Sequence, residues 1–398
     1  MKARIFLSTG EVSGDYHGAA LIGALQEAAA RRHWQVEIWA LGGDRMAAAG
    51  GHLLGNTLHI GSIGLVESLP YVWPTFQQQR RAKRLLRENP PDLMVAIDYV
   101  TPNIAMGYFA KRQLKIPVAY YIAPQEWVWS FGDKNTRAIA GFTDAIFAIF
   151  PEEARYYRQY GGQVVWVGHP FLDLLAAVPD RPTARAQLGI PESETAIVLL
   201  PASRQQEIRY LAPVLMQAAR QLQERLAGPV SFWLPLSLPR YRPALAALAA
   251  TIGLPIHIVE EPSAIAIRAA DLVLAKSGTV NLETALLGTP QVVVYRVSPI
   301  TAWLARNVLK FSIPFMSPPN LVNRKAIVPE FLQEAATPEA IAQCGWELLQ
   351  NSTRRQQMLA DYAEMRAALG EPGVLARVAE GLLDMVKMQE QGQTKGTA

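Results

Sequence analysis

Short apolar segments of strand length alternate with helical patterns along almost the whole chain. This alternation predicts βαβ units, in which helices connect parallel strands and pack on the faces of the sheet. A segment with two prolines, Leu175–Arg185, separates the strands into two groups, which predicts an α/β chain of two doubly wound halves. The predicted strands are Arg4–Ser8, Gln35–Leu41, Asp92–Asp98, Pro117–Ala123, Asp144–Phe150, Val164–Val167, Ala196–Pro201, Val230–Pro235, Ile256–Val259, Asp271–Ala275 and Gln291–Tyr295.

The length of the chain favours the same division. A chain of 398 residues, half of them hydrophobic, exceeds the size at which a single core stops growing. We therefore predict two domains, residues 1–175 and 186–351. After Pro338 the pattern is helical to about Met388, with an interruption at Pro372.

Composition excludes several classes of protein. The single cysteine, Cys344, rules out an internal disulfide framework and fits a reducing cytoplasm. A net charge of +4, with no basic stripe interleaved with aromatic residues, gives no support to nucleic-acid binding, although it suits acidic ligands or an anionic membrane surface. The first ten residues have too short an apolar core for a signal peptide, and no apolar run approaches 18 residues, so we expect no spanning helix.

A candidate phosphate site lies in the sequence AKSGTVNLET at residues 275–284. An apolar strand runs into Ser277, Gly278 and Thr279, and a helix follows at once. Such a helix start can present N–H groups and the positive end of its dipole to a phosphate. Glu283, one turn further on, is placed to accept hydrogen bonds from ribose hydroxyls. The alternative is an ordinary strand–turn–helix connection with a hydroxyl cap.

A glycine-containing loop follows the first predicted strand, in the sequence STGEVSGDYHG. It matches neither the dinucleotide fingerprint nor a P-loop, which removes the usual support for NAD or ATP binding. Since open α/β sheets bind ligands at the carboxyl ends of their strands, the polar residues of this loop are candidates for contacts with sugar hydroxyls. These residues are Glu11, Ser13, Gly14 and Asp15. In the alternative interpretation, Ser13 or Asp15 only caps a helix.

Two further polar residues end predicted strands. Asp98 follows five apolar residues, and in an apolar environment its pKa would rise towards a value useful for proton abstraction. The alternative is that Asp98 caps the helix beginning near Pro102. His169 ends another strand and could orient a ligand, although a structural role is favoured. The six histidines show no ligand spacing with Cys, Asp or Glu, so we predict no protein-bound metal.

The second half contains three more candidates. Arg204 lies between a strand and a helix, where a guanidinium can bind a diphosphate through two hydrogen bonds. Tyr295 ends a predicted strand, and Asn320 lies in the rigid sequence SPPN, from which its amide could point at a ligand. Each of the three could equally be an ordinary loop residue.

Two stretches are unusually apolar for a protein surface. One is residues 63–76, and the other is residues 300–315, where basic residues flank the apolar ones. This pattern is typical of a helix lying in a membrane interface, but amphipathic core helices look the same and are more common. The residues concerned are Leu65, Val66, Leu69, Trp73, Trp303 and Leu304.

A set of motifs in a fixed order resembles the lipid-A-disaccharide synthase family of glycosyltransferases. The resemblance runs from about Arg4 to about Leu332, and its specificity comes from the order of the motifs and not from any one of them. The motifs are GEVSGDYHGA, VAIDYVTPN, PQEWVWS, FPEE, VGHP, LLPASRQQEI, SGTVNLETALLGTP, VVVYRVSP and SPPNLV.

The resemblance implies a GT-B fold, with two Rossmann-like domains facing across a cleft and C-terminal helices, about residues 352–388, that return to the first domain. It implies transfer of a diacylated glucosamine from UDP to 2,3-diacylglucosamine 1-phosphate with inversion. The product is a β-1,6-linked disaccharide. The resemblance implies no cofactor and no catalytic metal, and a peripheral location on the inner face of the cytoplasmic membrane. A homodimer is left open.

The resemblance also assigns roles to residues. Asp98 resembles the family's general base or acceptor-binding aspartate, and Arg204 resembles its diphosphate arginine. The donor site is matched by Ser277, Gly278, Thr279, Glu283, Tyr295 and Asn320. The sequence departs from the family pattern at Ala202, which replaces the usual glycine, and at Glu126, an acid on the expected acceptor side, and these changes leave the implied reaction class intact. Two other functions were weighed: a UDP-sugar epimerase on the same fold, and an inactive lipid- or nucleotide-sugar-binding relative.

Overall fold

The computed structural model describes residues 1–58, 69–128, 132–201, 205–236, 238–260, 262–298, 303 and 315–396. The chain divides into two compact units. The first unit comprises Met1–Leu174 with Leu369–Ala398, and the second comprises Leu175–Ala368. Four of the predicted site residues, Arg204, Leu65, Val66 and Leu304, lie outside the described residues, and for Leu69 only the backbone is described.

A parallel sheet forms the core of the first unit. Its strands lie in the order β3-β2-β1-β4-β5-β6-β7, and helices connect them. The strands are β1 Lys2–Ser8, β2 Gln35–Gly42, β3 His52–Asn56, β4 Leu93–Ile97, β5 Val118–Tyr121, β6 Ala145–Ala148 and β7 Val164–Trp166. The helices are α1 Val12–Arg31, α2 Asp44–Ala48, α3 Leu69–Glu88, α4 Val100–Phe109 with a π-helical turn Ala110–Leu114, α5 Lys134–Phe142, α6 Pro151–Gln159 and α7 Phe171–Leu174.

The second unit repeats this architecture. Its parallel strands lie in the order β10-β9-β8-β11-β12-β13. They are β8 Thr195–Leu200, β9 Val230–Pro235, β10 His257–Val259, β11 Leu272–Lys276, β12 Gln291–Tyr295 and β13 Glu330–Leu332. The helices are α8 Arg181–Leu188, α9 Gln205–Tyr210, α10 Ala212–Arg225, α11 Arg242–Ile252, α12 Ser263–Ala269, α13 Val280–Leu286, α14 Pro318–Val322, α15 Pro338–Gln350 and α16 Ser352–Ala368, with short 3-10 turns at Pro239–Tyr241 and Gln333–Ala335.

Each sheet has one point at which the chain reverses the direction in which it adds strands. In the first unit this point lies between β1 and β4, and in the second between β8 and β11. All residues of β4 are buried, as are most of those of β11, because helices cover both faces of a central parallel strand. The connections that leave the carboxyl ends of these strands diverge, and this is where open α/β sheets bind ligands.

The C-terminal helices do not both return to the first unit, as was expected for residues 352–388. Helix α16 belongs to the second unit, where Gln291 Nε2 donates to Tyr362 Oη at 3.3 Å and Lys325 forms a 2.6 Å ion pair with Asp361. Only the last helix, α17 Val374–Gly396, packs in the first unit, against α1.

Ion pairs and close packing hold α17 on the first unit. Arg32, which ends α1, forms ion pairs with Glu380 and Asp384. Gly381 lies against Phe147 so closely that a Cβ at this position would stand 2.7 Å from the ring. Within the described residues, no helix is long and apolar enough to cross a membrane.

Candidate active site

Asp98 follows β4 at the point where the first sheet reverses. Both Asp98 and Tyr99 have left-handed backbone angles, with φ of 46° and 55°. The Asp98 side chain is half-buried, and its Oδ1 accepts a hydrogen bond from the Tyr99 N–H at 2.9 Å. Helix α4 begins after Tyr99 without a side-chain cap, so Asp98 does not act as the cap considered above. Left-handed angles at residues other than glycine are costly and concentrate at functional sites.

A buried network fixes the backbone of Asp98. The Asp98 N–H donates to the Ile122 carbonyl at 3.0 Å, and the Asp98 carbonyl accepts from Tyr120 Oη at 2.6 Å and Asn103 Nδ2 at 2.7 Å. Asn103 is fully buried and also links Asp98 to Ser8, the last residue of β1. The backbone that carries the carboxylate is therefore held by β5 and the residue after it, and through Asn103 of α4 by β1.

The β1–α1 connection lies beside Asp98. A Cβ at Gly10 would stand 2.2 Å from the Tyr99 ring, so this glycine permits a close approach of the two segments. Burial raises the pKa of Tyr99, and the negative charge of Glu11 raises it further. Glu11 and Ser13 are half-exposed at this edge. These two residues keep the position predicted for sugar contacts.

Gly14 and Asp15 do not form part of a flexible rim, as was expected. Helix α1 begins at Val12, within the glycine-containing sequence, and Gly14 lies in this helix against the Thr9 side chain. Asp15 is 1% exposed, and its carboxylate accepts hydrogen bonds from the N–H groups of Gly43, Arg45 and Met46 at 2.8 to 3.2 Å. Asp15 therefore holds the start of α2 and does not face a ligand.

His169 and Glu126 are also buried. His169 is 2% exposed, its Nδ1 accepts from the Phe171 N–H at 3.2 Å, and burial together with nearby His17 lowers its pKa well below the usual value. The burial and the hydrogen bond are consistent with the structural role of His169 that was favoured from the sequence. Glu126 is 8% exposed and accepts from Asn135 Nδ2 at 3.2 Å, and burial raises its pKa.

The predicted phosphate loop of the second unit follows β11. Ser277, Gly278 and Thr279 connect this strand to α13, and Thr279 is exposed. Two N–H groups of the loop are already bonded, because that of Ser277 donates to Val294 O at 2.9 Å and that of Gly278 donates to Asn281 Oδ1 at 2.8 Å. The expectation that all the first N–H groups are available is therefore wrong for Ser277 and Gly278.

Glu283 and Tyr295 stand near this loop, whereas Asn320 is committed to another one. Glu283 is half-buried on α13, where its Oε1 accepts from Ser263 Oγ at 3.4 Å, and Tyr295 is half-buried at the end of β12. Asn320 is 1% exposed. Its Oδ1 accepts from the N–H groups of Ile327 and Val328, and its Nδ2 donates to Val328 O and Glu330 Oε1. All its hydrogen-bonding capacity is used, so the prediction that its amide faces a ligand is contradicted.

Sequence reasoning missed an ion pair beside the phosphate loop. Lys276 is the last residue of β11, and its Nζ lies 3.2 Å from Glu207 Oε1. Both side chains are only 13–14% exposed. A Cβ at Gly278 would stand 3.1 Å from the same Nζ. The signal was available, because a lysine that ends an apolar strand occupies the same kind of position as Asp98.

The first turns of α3 present an apolar surface. Val72, Trp73 and Phe76 are 53–65% exposed, and the rings of Trp73 and Phe76 stack with centroids 5.8 Å apart. The same helix continues with exposed arginines at positions 80, 81 and 84. Trp303 is 59% exposed. The core interpretation that was favoured for these stretches therefore does not apply to Trp73 or Trp303.

In the part of the chain that the structure describes, no cluster of three or more His, Cys, Asp or Glu side chains is arranged to hold a metal ion.

Comparison with known proteins gives strong matches over nearly the whole chain. The profile of a family described as lipid-A-disaccharide synthetase matches residues 5–379. A lipid-A-disaccharide synthase from Gloeothece citriformis is 54% identical over 96% of this chain and 100% of its own length. The corresponding protein from Synechocystis is 49% identical over 98% and 100% of the two chains.

Solved structures resemble the chain at much lower sequence identity. A UDP-GlcNAc 2-epimerase from Neisseria meningitidis bound to UDP-GlcNAc matches with a TM-score of 0.67 and 15% identity, over 96% of this chain and 100% of the other. MurG from Acinetobacter baumannii matches with a TM-score of 0.55 and 18% identity, over the same shares of the two chains. At such identities the likeness shows the fold alone, and together with the two parallel sheets it confirms the predicted α/β GT-B class.

Proposed function

Because the chain belongs to the lipid-A-disaccharide synthase family, we propose that it transfers the diacylated glucosamine of UDP-2,3-diacylglucosamine to 2,3-diacylglucosamine 1-phosphate. The 6-hydroxyl of the acceptor attacks the anomeric carbon of the donor. The bond between that carbon and the diphosphate breaks, and UDP leaves. One displacement inverts the configuration and gives the β-1,6-linked disaccharide.

We assign the proton transfer to Asp98. Its carboxylate takes the proton from the attacking hydroxyl, so the acceptor oxygen reaches the anomeric carbon with its negative charge already developing. The single observation that supports this role is the position of Asp98. Two left-handed residues and a buried hydrogen-bond network hold its half-exposed carboxylate at the carboxyl end of a central strand. Glu11 and Ser13, at the same edge, are proposed to bind acceptor hydroxyls.

The second unit is proposed to bind the UDP portion of the donor. The loop Ser277–Thr279 and Arg204 would meet the diphosphate, and Glu283 the ribose. Since the N–H groups of Ser277 and Gly278 are used within the protein, those of Thr279 and Val280 are the donors we propose for a phosphate oxygen. Removing one electrostatic partner of a developing charge lowers turnover by about a hundredfold or more.

Substitution of Asp98 tests this mechanism. Asp98→Asn keeps the size of the side chain and an oxygen for the Tyr99 N–H, but it cannot take up a proton. We expect transfer to fall by at least about a hundredfold while UDP binding is retained. The matched control is Asp92→Asn, at the other end of β4, where the carboxylate only accepts from the Arg4 N–H. Near-normal turnover by Asp98→Asn would remove Asp98 from the role of base.

The epimerase alternative is not favoured by the family match, although epimerases share the fold. An epimerase would convert the UDP-sugar in the absence of an acceptor, whereas the transferase needs both substrates. Incubating the donor with and without the acceptor separates the two functions. An inactive binding relative would show no turnover in either mixture.

Contact with an anionic membrane surface is proposed for the exposed apolar part of α3 and for Trp303. The stacked Trp73 and Phe76, followed on the helix by exposed arginines, have the chemistry of an interfacial segment. The variant Trp73→Glu/Phe76→Glu should lose co-flotation with anionic vesicles. The control Trp346→Glu alters a tryptophan that is 36% exposed on another helix, α15. Vesicle binding that is equal in the two variants would contradict the proposal.

A homodimer remains a prediction of the same kind. Light scattering in solution tests it against the chain mass of 43.8 kDa. A mass of twice this value would support a dimer, and the chain mass itself would contradict it.

A further inference from the structure

We propose that Lys276 is a second cation for the diphosphate of the donor, and that Glu207 holds its ammonium over the loop that binds this group. This inference rests on the proposed function, because it assumes that the loop Ser277–Thr279 receives the diphosphate. It goes beyond that function by adding the ion pair of Lys276 and Glu207 to the donor site.

The first argument is the position of Lys276 in the sheet. It is the last residue of β11, and the preceding residue, Ala275, pairs with Leu200 at the end of β8. Strands β8 and β11 are the two at which the second sheet reverses. Lys276 therefore stands where an open α/β sheet places its ligand, at the carboxyl ends of these two strands.

The second argument is where the ammonium lies. A Cβ at Gly278 would stand 3.1 Å from Lys276 Nζ, so the charge lies directly over the backbone of the loop. The side chain turns back over this loop instead of extending into solvent, and it is only 14% exposed. The Lys276 ammonium, while it remains paired with Glu207, can also bind an anion that approaches the exposed Thr279.

The third argument is that both ends of Lys276 are fixed. Asn281, which is fully buried, donates from Nδ2 to the Lys276 carbonyl at 3.1 Å and accepts from the Gly278 N–H. Glu207, on α9, contacts the ammonium at 3.2 Å. A side chain held in this way loses little conformational entropy when it binds a ligand, which strengthens each hydrogen bond that it forms.

The charge balance explains why a carboxylate belongs in an anion site. Without Lys276, Glu207 would repel a diphosphate, and without Glu207 the buried ammonium would have no counter-ion when the site is empty. With both, the second unit keeps a neutral pair, and the ammonium can add a charge-assisted hydrogen bond when the diphosphate arrives.

The test compares two variants that share the same change at Glu207. Glu207→Gln keeps the ammonium, and Glu207→Gln/Lys276→Met removes it, so the two variants differ only in the charge at position 276. We expect Glu207→Gln to bind UDP at least as tightly as the unaltered chain. The double variant should bind UDP about 10-fold to 100-fold more weakly, the effect of one charge-assisted hydrogen bond.

Uridine provides the control for the nucleoside part of the site. Because uridine carries no phosphate, its affinity should be the same in both variants, measured by calorimetry. Lys276→Arg should retain part of the UDP affinity, and Lys325→Met should retain all of it, since Lys325 forms its ion pair with Asp361 elsewhere in the second unit. Equal UDP affinity in the two Glu207 variants, or a parallel loss of uridine affinity in the double variant, would overturn the assignment. Failure of the unaltered chain to bind UDP would instead contradict the proposed donor site.

Discussion

Replacing Gly10 by alanine should displace Asp98, although the added methyl group acts on Tyr99 and not on Asp98 itself. The added Cβ would stand 2.2 Å from Tyr99 Cε1, where ordinary contact begins at 3.4 Å, so the ring or the loop must move by about 1 Å. Tyr99 is held at both ends, because its N–H donates to the Asp98 carboxylate and its Oη lies 3.5 Å from Thr75 Oγ1, so a shift of the ring is passed to the backbone next to Asp98. The displacement therefore reaches the proposed base.

The expected size of the effect follows from this geometry. Forcing atoms into a packed site costs about 1–3 kcal/mol of the free energy of unfolding. A catalytic group misplaced by about 1 Å costs about a hundredfold in rate. We therefore expect Gly10→Ala to lower kcat by one to two orders of magnitude, roughly, while the chain still folds.

The assay is release of UDP under saturating substrates, together with urea unfolding. Gly23→Ala is the matched control, because it lies in α1 with no atom within 4 Å of the added Cβ. It should leave kcat unchanged and raise stability slightly. The double variant Gly10→Ala/Tyr99→Ala should recover the stability that Gly10→Ala loses. Gly10→Ala with the same kcat as Gly23→Ala would refute the reasoning.

Two further predictions concern residues that the structure places in the scaffold. Asn320→Ala removes four hydrogen bonds, three of them buried and one partly buried, and should lower the free energy of unfolding by about 3 kcal/mol or more, with UDP affinity of the folded protein unchanged. Unaltered stability with lost UDP affinity would return Asn320 to the donor site. Burial lowers the pKa of His17 from 6.5 to about 4. Between these two pH values the folded state binds fewer protons than the unfolded state, so the free energy of unfolding falls as the pH is lowered from 6.5 to about 4. The loss of the free energy of unfolding approaches about 3 kcal/mol. His17→Phe should reduce this loss, whereas His33→Asn, at an exposed position, should not. Equal pH dependence of urea unfolding in the two variants would show that His17 is not the cause.

The central strands could be predicted from the sequence because helices cover both of their faces. Val230–Pro235 and Gln291–Tyr295 have the predicted bounds, and β4 differs from its prediction by one residue at each end. The two strands that were not predicted, His52–Asn56 and Glu330–Leu332, lie at the outer edges of their sheets. These two strands are only partly buried, and their sequences lack the apolar run that marks a central strand.

The candidate site could likewise be predicted only where a local sequence pattern determines the position of a residue. The position of Asp98 followed from the length of its strand, since a residue after an apolar run must emerge at the edge of the sheet. Asp15 and Asn320 were placed at ligands because their side chains are polar and lie in loops or near helix starts. Their actual partners are backbone groups and, for Asn320, also the Glu330 carboxylate; these partners lie up to 31 positions away, which no local pattern specifies. Lys276 was not predicted, because the phosphate site was predicted from the hydroxyl and glycine residues that follow it.

The most direct test of the account is the mass spectrum of the products formed from both acylated substrates. The expected result is one species with the mass of the joined disaccharide phosphate and one UDP for each molecule of it, with both products reduced by at least about a hundredfold when Asp98→Asn replaces the unaltered chain. Unchanged substrates, or a donor altered in the absence of acceptor, would contradict the proposed transfer.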